Sequence, residues 1–241
     1  MCCEEIIRAN FLVKSATLKN QGWKMKENII KIKDFLLKNL KWIVLFISTV
    51  FFLMIVEDVM DKEIMSTDNK GYILISTYLM SDIMTHVAKV VTNFGGEYCV
   101  IGLSILLLIA IKNKKIGISI PINLGLSALL NVSLKQILQR PRPIEYRIID
   151  ESGYSLPSGH SMVSMAFYGY LIYLIYKHIN NKYIKWSLST LLSLLIMSIG
   201  ISRIYLGVHY TSDVIAGFLI ALSYLIIYIN VVNAIIKNSS K

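Results

Sequence analysis

Six apolar stretches, at 40–56, 98–111, 116–134, 159–176, 184–201 and 212–236, limit what this chain can fold into more than any other feature. Segments of this kind cross a membrane as helices, because hydrocarbon offers no partner to an exposed backbone N–H or C=O. Composition agrees: 55% of the residues are hydrophobic and 17% charged, with a mean hydropathy of +0.58, too little polar surface for a soluble chain of this length. The expectation is an all-α polytopic membrane protein with six transmembrane helices. Its membrane domain covers 39–236, between a basic leader at 1–38 and a short tail at 237–241.

The net charge of +10 invites a nucleic-acid reading, but the lysines sit in the leader and in short connectors, where they set membrane orientation. With the N-terminus inside, 17 of the 25 basic residues fall in cytoplasmic segments. The stretch 72–91 carries Asp82, His86 and Lys89 at helical spacing and is expected as an interfacial helix between spans one and two, with His86 on its solvated face. Counting it as a seventh span would place Lys112, Lys114 and Lys115 outside, against the same rule. In the leader, Ile29 to Leu40 mixes apolar residues with Lys31, Lys33 and Lys38, a basic amphipathic pattern suited to anionic lipid. Met25 is an alternative start, and Cys2 and Cys3 read as reduced thiols or acylation sites.

Three polar stretches interrupt the apolar background: KQILQRPRP at Lys135–Pro143, PSGH at Pro157–His160, and SRIYLGVHYTSD at Ser202–Asp213. The second opens the fourth span and the third opens the sixth, so two crossings separate them and they share a face. The first closes the third span and joins them across one loop. The charge distribution makes that face extracytoplasmic, with both termini in the cytoplasm.

Lys135, Arg142 and Arg203 would surround one site with three positive charges, which in or beside a membrane call for an anion such as a phosphoryl group. Salt bridges to Glu145, Asp150 or Glu151 would account for any one of them alone. Ser158 is a natural N-cap, Gly159 permits close approach of another backbone, and the helix start presents N–H donors beside His160. His209 and Asp213 stand four apart, so on a helix the carboxylate reaches a ring nitrogen and fixes the tautomer; alone, such a pair is more often structural. Two histidines allow one to attack phosphorus and the other to protonate the leaving oxygen. Carboxylates near the motifs lack ligand spacing, so no metal site and no other cofactor is expected.

Together the motifs resemble the signature of the type 2 phosphatidic acid phosphatase superfamily, K-x6-R-P, P-S-G-H and S-R-x5-H-x3-D, which this chain matches from Lys135 to Asp213. The resemblance implies a phosphohistidine on His209, supported by Asp213, with His160 as general acid. It also implies that Lys135, Arg142, Ser158, Gly159 and Arg203 bind the phosphoryl oxygens. Arg140 is an extra cation, available for a second phosphate. The implied activity is a lipid phosphatase of the cytoplasmic membrane. For a chain of bacterial composition undecaprenyl diphosphate is the first choice of substrate, then phosphatidylglycerophosphate or phosphatidate. Partners are the lipid phosphate and membrane lipids, with no nucleic acid and no obligate protein. A phosphoryl transferase to a lipid acceptor and a non-enzymatic anion-binding protein remain as other classes.

Overall fold

The computed structural model describes residues 2–61 and 66–238, with side chains described for 30–31, 33–61 and 66–238. Cys2, Cys3, Met25, Ile29 and the other leader side chains before Ile30, together with Lys62, Glu63 and the end of the tail, lie outside this description, as do the expectations attached to them.

The described residues form eight helices and no strand: α1 Cys2–Met60, α2 Ser66–Leu79, α3 Asp82–Asn93, α4 Glu97–Ala110, α5 Lys114–Leu138, α6 Gly159–His178, α7 Lys182–Tyr205 and α8 Thr211–Asn238. They fall into two compact units, Met1–Val44 and Leu45–Lys241. The first is the N-terminal part of α1, where Phe35, Leu37 and Leu40 are exposed. The second holds everything discussed below.

Among the described residues four helices are long and apolar enough to cross a membrane: Lys33–Met60 of α1, α5, α7 and α8. A fifth crossing is available if α3 and α4, bent by 46° at their junction, act as one broken span. The stretch expected as span two is α4, only 14 residues and about 21 Å long, short of the ~30 Å hydrocarbon thickness unless α3 extends it. The single interfacial helix expected at 72–91 is instead two helices. Ser81 stops the run because its side chain caps α3, accepting the N–H of Met84, while its backbone N–H and C=O engage the Tyr205 hydroxyl.

Cap chemistry explains the other boundaries that matter. Asn113 and Asn181 cap α5 and α7 through their side-chain oxygens. Gln139 ends α5 in the left-handed region at φ 45°, and Pro141 and Pro143 prevent the helix from resuming. The polypeptide then runs as a long loop to Ser158, which caps α6.

The apolar core joins α4 to α8 through Val100, Ile120, Leu124, Phe167, Ile196, Ile199 and Leu225. Two polar side chains inside it find buried partners. Tyr170 shares a hydrogen bond with Ser119, and Asn123 donates to the Ala166 carbonyl at 2.8 Å. A second cluster packs Ile75 of α2 and Ala88 of α3 against Tyr205, Leu206 and Val214. This packing fixes the C-terminal ends of α5 and α7 against the N-terminal ends of α6 and α8, where the three polar motifs meet.

Candidate active site

Ser158 sets the geometry of the second motif. Its hydroxyl accepts the Ser161 N–H at 3.5 Å and the Ser161 hydroxyl at 2.9 Å, while its own N–H donates to the Asp213 carbonyl at 3.0 Å. Ser158 therefore ties the start of α6 to α8, and the helix start leaves the N–H groups of Gly159 and His160 to face an anion. The close neighbour of Gly159 is a side chain rather than a backbone. A Cβ there would lie 3.1 Å from Asn131 Oδ1 and 4.0 Å from Lys135 Cε, so the glycine opens room beside Lys135. Lys135, in the last turn of α5, donates through Nζ to the Tyr154 carbonyl at 2.5 Å.

His209 is not on a helix with Asp213, as its spacing suggested, but in the bend before α8 begins at Thr211. The pair meets because Asp213 folds back over the helix start, its Oδ2 accepting the Tyr210 N–H at 2.8 Å and the Ser155 hydroxyl. His209 Nδ1 then stands 3.5 Å from that oxygen. On the other side of the ring, Arg142 Nη1 is 3.0 Å from Nε2. A guanidinium has no acceptor, so Nε2 carries a lone pair and the proton resides on Nδ1, facing the carboxylate. Burial pushes the imidazole down to about 4, against the opposing pull of Asp213, so it is neutral near pH 7.

Arg142 is held by carbonyls, its Nε donating to Gly153 at 3.0 Å, Nη1 to Val208 at 2.9 Å and Nη2 to Ser152 at 3.1 Å. Arg203, 1% exposed, bonds Thr92 of α3 at 2.8 Å and makes a close ion pair with Glu151. The same carboxylate approaches Arg142 at 3.9 Å. Burial alone would raise the Glu151 pKa, but Arg203 outweighs it and holds the carboxyl below its usual range. Glu151 thus occupies the space between two of the three motif cations. His160, at the start of α6, lies close enough to feel the charges of Arg203, Glu151, His209 and Arg142.

Arg140 is not available for a second phosphate. It is buried, donating to Asp213 Oδ1 at 2.6 Å, Ser212 Oγ at 2.7 Å and Asp68 Oδ2 at 2.8 Å, and its guanidinium lies 4.2 Å from the Tyr210 ring centre. Desolvation explains the outcome, since a buried guanidinium needs anions and two buried carboxylates supply them. Sequence reasoning missed Asp68, Thr92 and Ser155. None has a spacing signal, because each meets the site only through tertiary packing.

Two cavities reach this cluster. One of about 740 Å³ lies between α4, α5 and α6, lined by apolar residues such as Val100, Ile101 and Leu124 and ending at Glu151, Gly159 and His160. The other, of about 280 Å³, lies beside α2 and touches Arg142 and His209. Among the described residues no three His, Cys, Asp or Glu side chains are grouped to hold a metal ion.

Comparison with known proteins places this geometry. The profile of the PAP2 superfamily matches residues 117–237, half of the chain. Phosphatidylglycerophosphatase B of Bacillus subtilis is 29% identical over 182 residues, 71% of this chain and 86% of that protein. An undecaprenyl-diphosphatase of Sulfolobus acidocaldarius is 30% identical over 135 residues, 54% of this chain and 61% of that protein. Among solved structures, the transmembrane PAP2-type phosphatidylglycerolphosphate phosphatase of Bacillus subtilis superposes with a TM-score of 0.69 at 25% identity, covering 79% of this chain and 96% of that one. Aquifex aeolicus LpxE gives 0.58 at 25% identity, covering 70% of this chain and 98% of that one. With its three motifs gathered at one end of the bundle, and with these relatives, the chain belongs to the PAP2 superfamily and is a membrane phosphatase of that family.

Proposed function

We propose that the chain cleaves a terminal phosphoryl group from a membrane lipid through a phosphohistidine on His209, as a metal-independent phosphoric ester hydrolase. The observation that carries this reading is the Arg142–His209–Asp213 geometry, in which Nε2 is deprotonated and an orienting carboxylate faces Nδ1. A phosphoryl group entering the cluster displaces Glu151, and its oxygens take up Lys135, Arg142, Arg203 and the N–H groups of Gly159 and His160. Nε2 attacks phosphorus, the bond to the lipid oxygen breaks, and His160, held as an imidazolium by the bound phosphate, gives its extra proton to that oxygen and is left neutral. His160 then takes a proton from water, whose oxygen attacks phosphorus, breaks the P–N bond and returns His209 with inorganic phosphate. Asp213 stabilises the imidazolium present while phosphate is attached.

The lipid tail occupies the apolar cavity that ends at His160, which puts the leaving oxygen beside its proton donor. Phosphatidylglycerophosphate is the favoured substrate. Arg140 is committed to Asp68 and Asp213 and leaves no spare cation for a second phosphate, and the phosphatidylglycerophosphatase relative is matched over most of both chains. Undecaprenyl diphosphate is the second reading, supported by the Sulfolobus relative.

The arrangement proposed in the bilayer has six crossings, α1, the α3–α4 pair, α5, α6, α7 and α8. At 20 residues α6 extends about 30 Å, long enough to cross; its modest apolarity reflects Ser161, Ser164, Tyr168 and Tyr170, all buried against neighbouring helices. The lysine distribution supports both termini in the cytoplasm and the site on the outer face of the cytoplasmic membrane. The test is phosphate release by purified protein across phosphatidylglycerophosphate, phosphatidate and undecaprenyl diphosphate. The expected order puts the first highest in kcat/KM, and a clear preference for the diphosphate would reverse the substrate assignment. Phosphorylated lipid formed in place of free phosphate would make the protein a transferase.

A further inference from the structure

The signature accounts for Asp213 but not for what holds it. Arg140 and Asp68 form a buried chain behind it, running from Asp68 through the guanidinium to Asp213 Oδ1, with side-chain exposures of 0%, 7% and 0%. The other oxygen of Asp68 accepts the Ser212 N–H at 2.8 Å, so one carboxylate from α2 fixes both the guanidinium and the first turn of α8. α2 sits close enough for this because of Gly71, where a Cβ would run into the Thr211 side chain. α2 also lies outside the residues matched by the family profile, 117–237.

Charge explains why two carboxylates are needed. Arg140 alone would present a full cation to Asp213 and compete with His209 for its electron density. Asp68 shares that cation, so Asp68, Arg140 and Asp213 together carry one net negative charge beside a neutral imidazole. When attack on phosphorus puts a positive charge on the His209 ring, that ring and the three groups behind it sum to zero, and the phosphoryl oxygens are left to Lys135, Arg142 and Arg203.

We propose that Asp68, through Arg140, is a positioning residue that holds Asp213 aimed at His209 Nδ1 and leaves its negative charge available to that ring, and that it accelerates phosphoryl transfer to His209 without contacting substrate. This rests on the phosphohistidine reading above. The test measures the pre-steady-state rate of phosphohistidine formation, together with steady-state kcat and KM, on folded protein in detergent. Wild-type protein comes first: absence of a phosphohistidine there overturns the reading of function itself. Given that intermediate, Asp68→Asn should slow its formation and lower kcat by about 10- to 100-fold with KM within about twofold, as for groups that orient a catalytic side chain. In an Asp213→Asn background the same change should cost little more, because Asp68 acts through Asp213. Unchanged kcat, a loss confined to KM, or losses that multiply in the double variant would overturn the proposal. Should Asp68→Asn not fold, Arg140→Lys, which keeps the cation but removes the fork that bridges the two carboxylates, must lower kcat with KM unchanged; no change in kcat overturns the proposal equally.

Discussion

At the residue scale, the proposed mechanism turns on the state of one imidazole. His209 has its pKa lowered by burial to about 4, from an ordinary value near 6.5. The folded protein therefore prefers the neutral ring, and the sign follows: this contribution to stability is complete above pH 6.5 and is lost as pH falls through about 4. The nucleophile should stay competent over the same range. After allowance for ionisation of the substrate phosphate, the acid limb of phosphohistidine formation by the free enzyme should lie near pH 4. A limb near 6.5 that survives this correction would show that His209 is solvated rather than buried. The motif residues were legible because chemistry at fixed spacing reports on function whatever the backbone does. Their local geometry was not: His-x3-Asp reads as a helical pair, yet a bend and a cap bring the two together.

At the element scale, short polar contacts hold the loops over the site. Gly207, in the turn between α7 and α8, has φ +68°, and a Cβ would run into the Tyr146 carbonyl oxygen. Here glycine answers both a left-handed backbone and a close approach. Gly207→Ala should lower stability by more than about 1 kcal/mol and reduce activity by moving His209; a thermal-unfolding midpoint in detergent unchanged from wild type would contradict this. The Ser158 cap was legible in sequence because Pro157-Ser158-Gly159 is both a stop and a start. The break between α2 and α3 was not, since helical spacing continues across Ser81 and the Tyr205 hydroxyl that engages its backbone lies far along the chain. Asp68 and Thr92 escaped for the same reason, as single residues whose partners lie in distant helices.

At the scale of the whole molecule, apolar content made an all-helical membrane protein readable from sequence, while the number of crossings depends on how α3 and α4 combine and on α6, whose polar residues face inward. Orientation is open to direct test. In a cysteine-free background, Ile144→Cys, 81% exposed in the loop over the site, should react with a membrane-impermeant maleimide added outside intact cells. Tyr183→Cys, 86% exposed at the opposite end of α7, should react only after permeabilisation. The reverse labelling would invert the topology and put the site in the cytoplasm.

The central claim, that one histidine carries the phosphoryl group without a metal, is tested most directly by trapping. Purified protein is mixed with ³²P-labelled lipid phosphate in excess chelator, quenched with alkali and assayed for acid-labile, alkali-stable label on the chain. The account predicts label on wild-type protein, accumulation of that label in a variant slowed in hydrolysis, and none in His209→Ala. Label that persists in His209→Ala, or turnover that chelator abolishes, would contradict it.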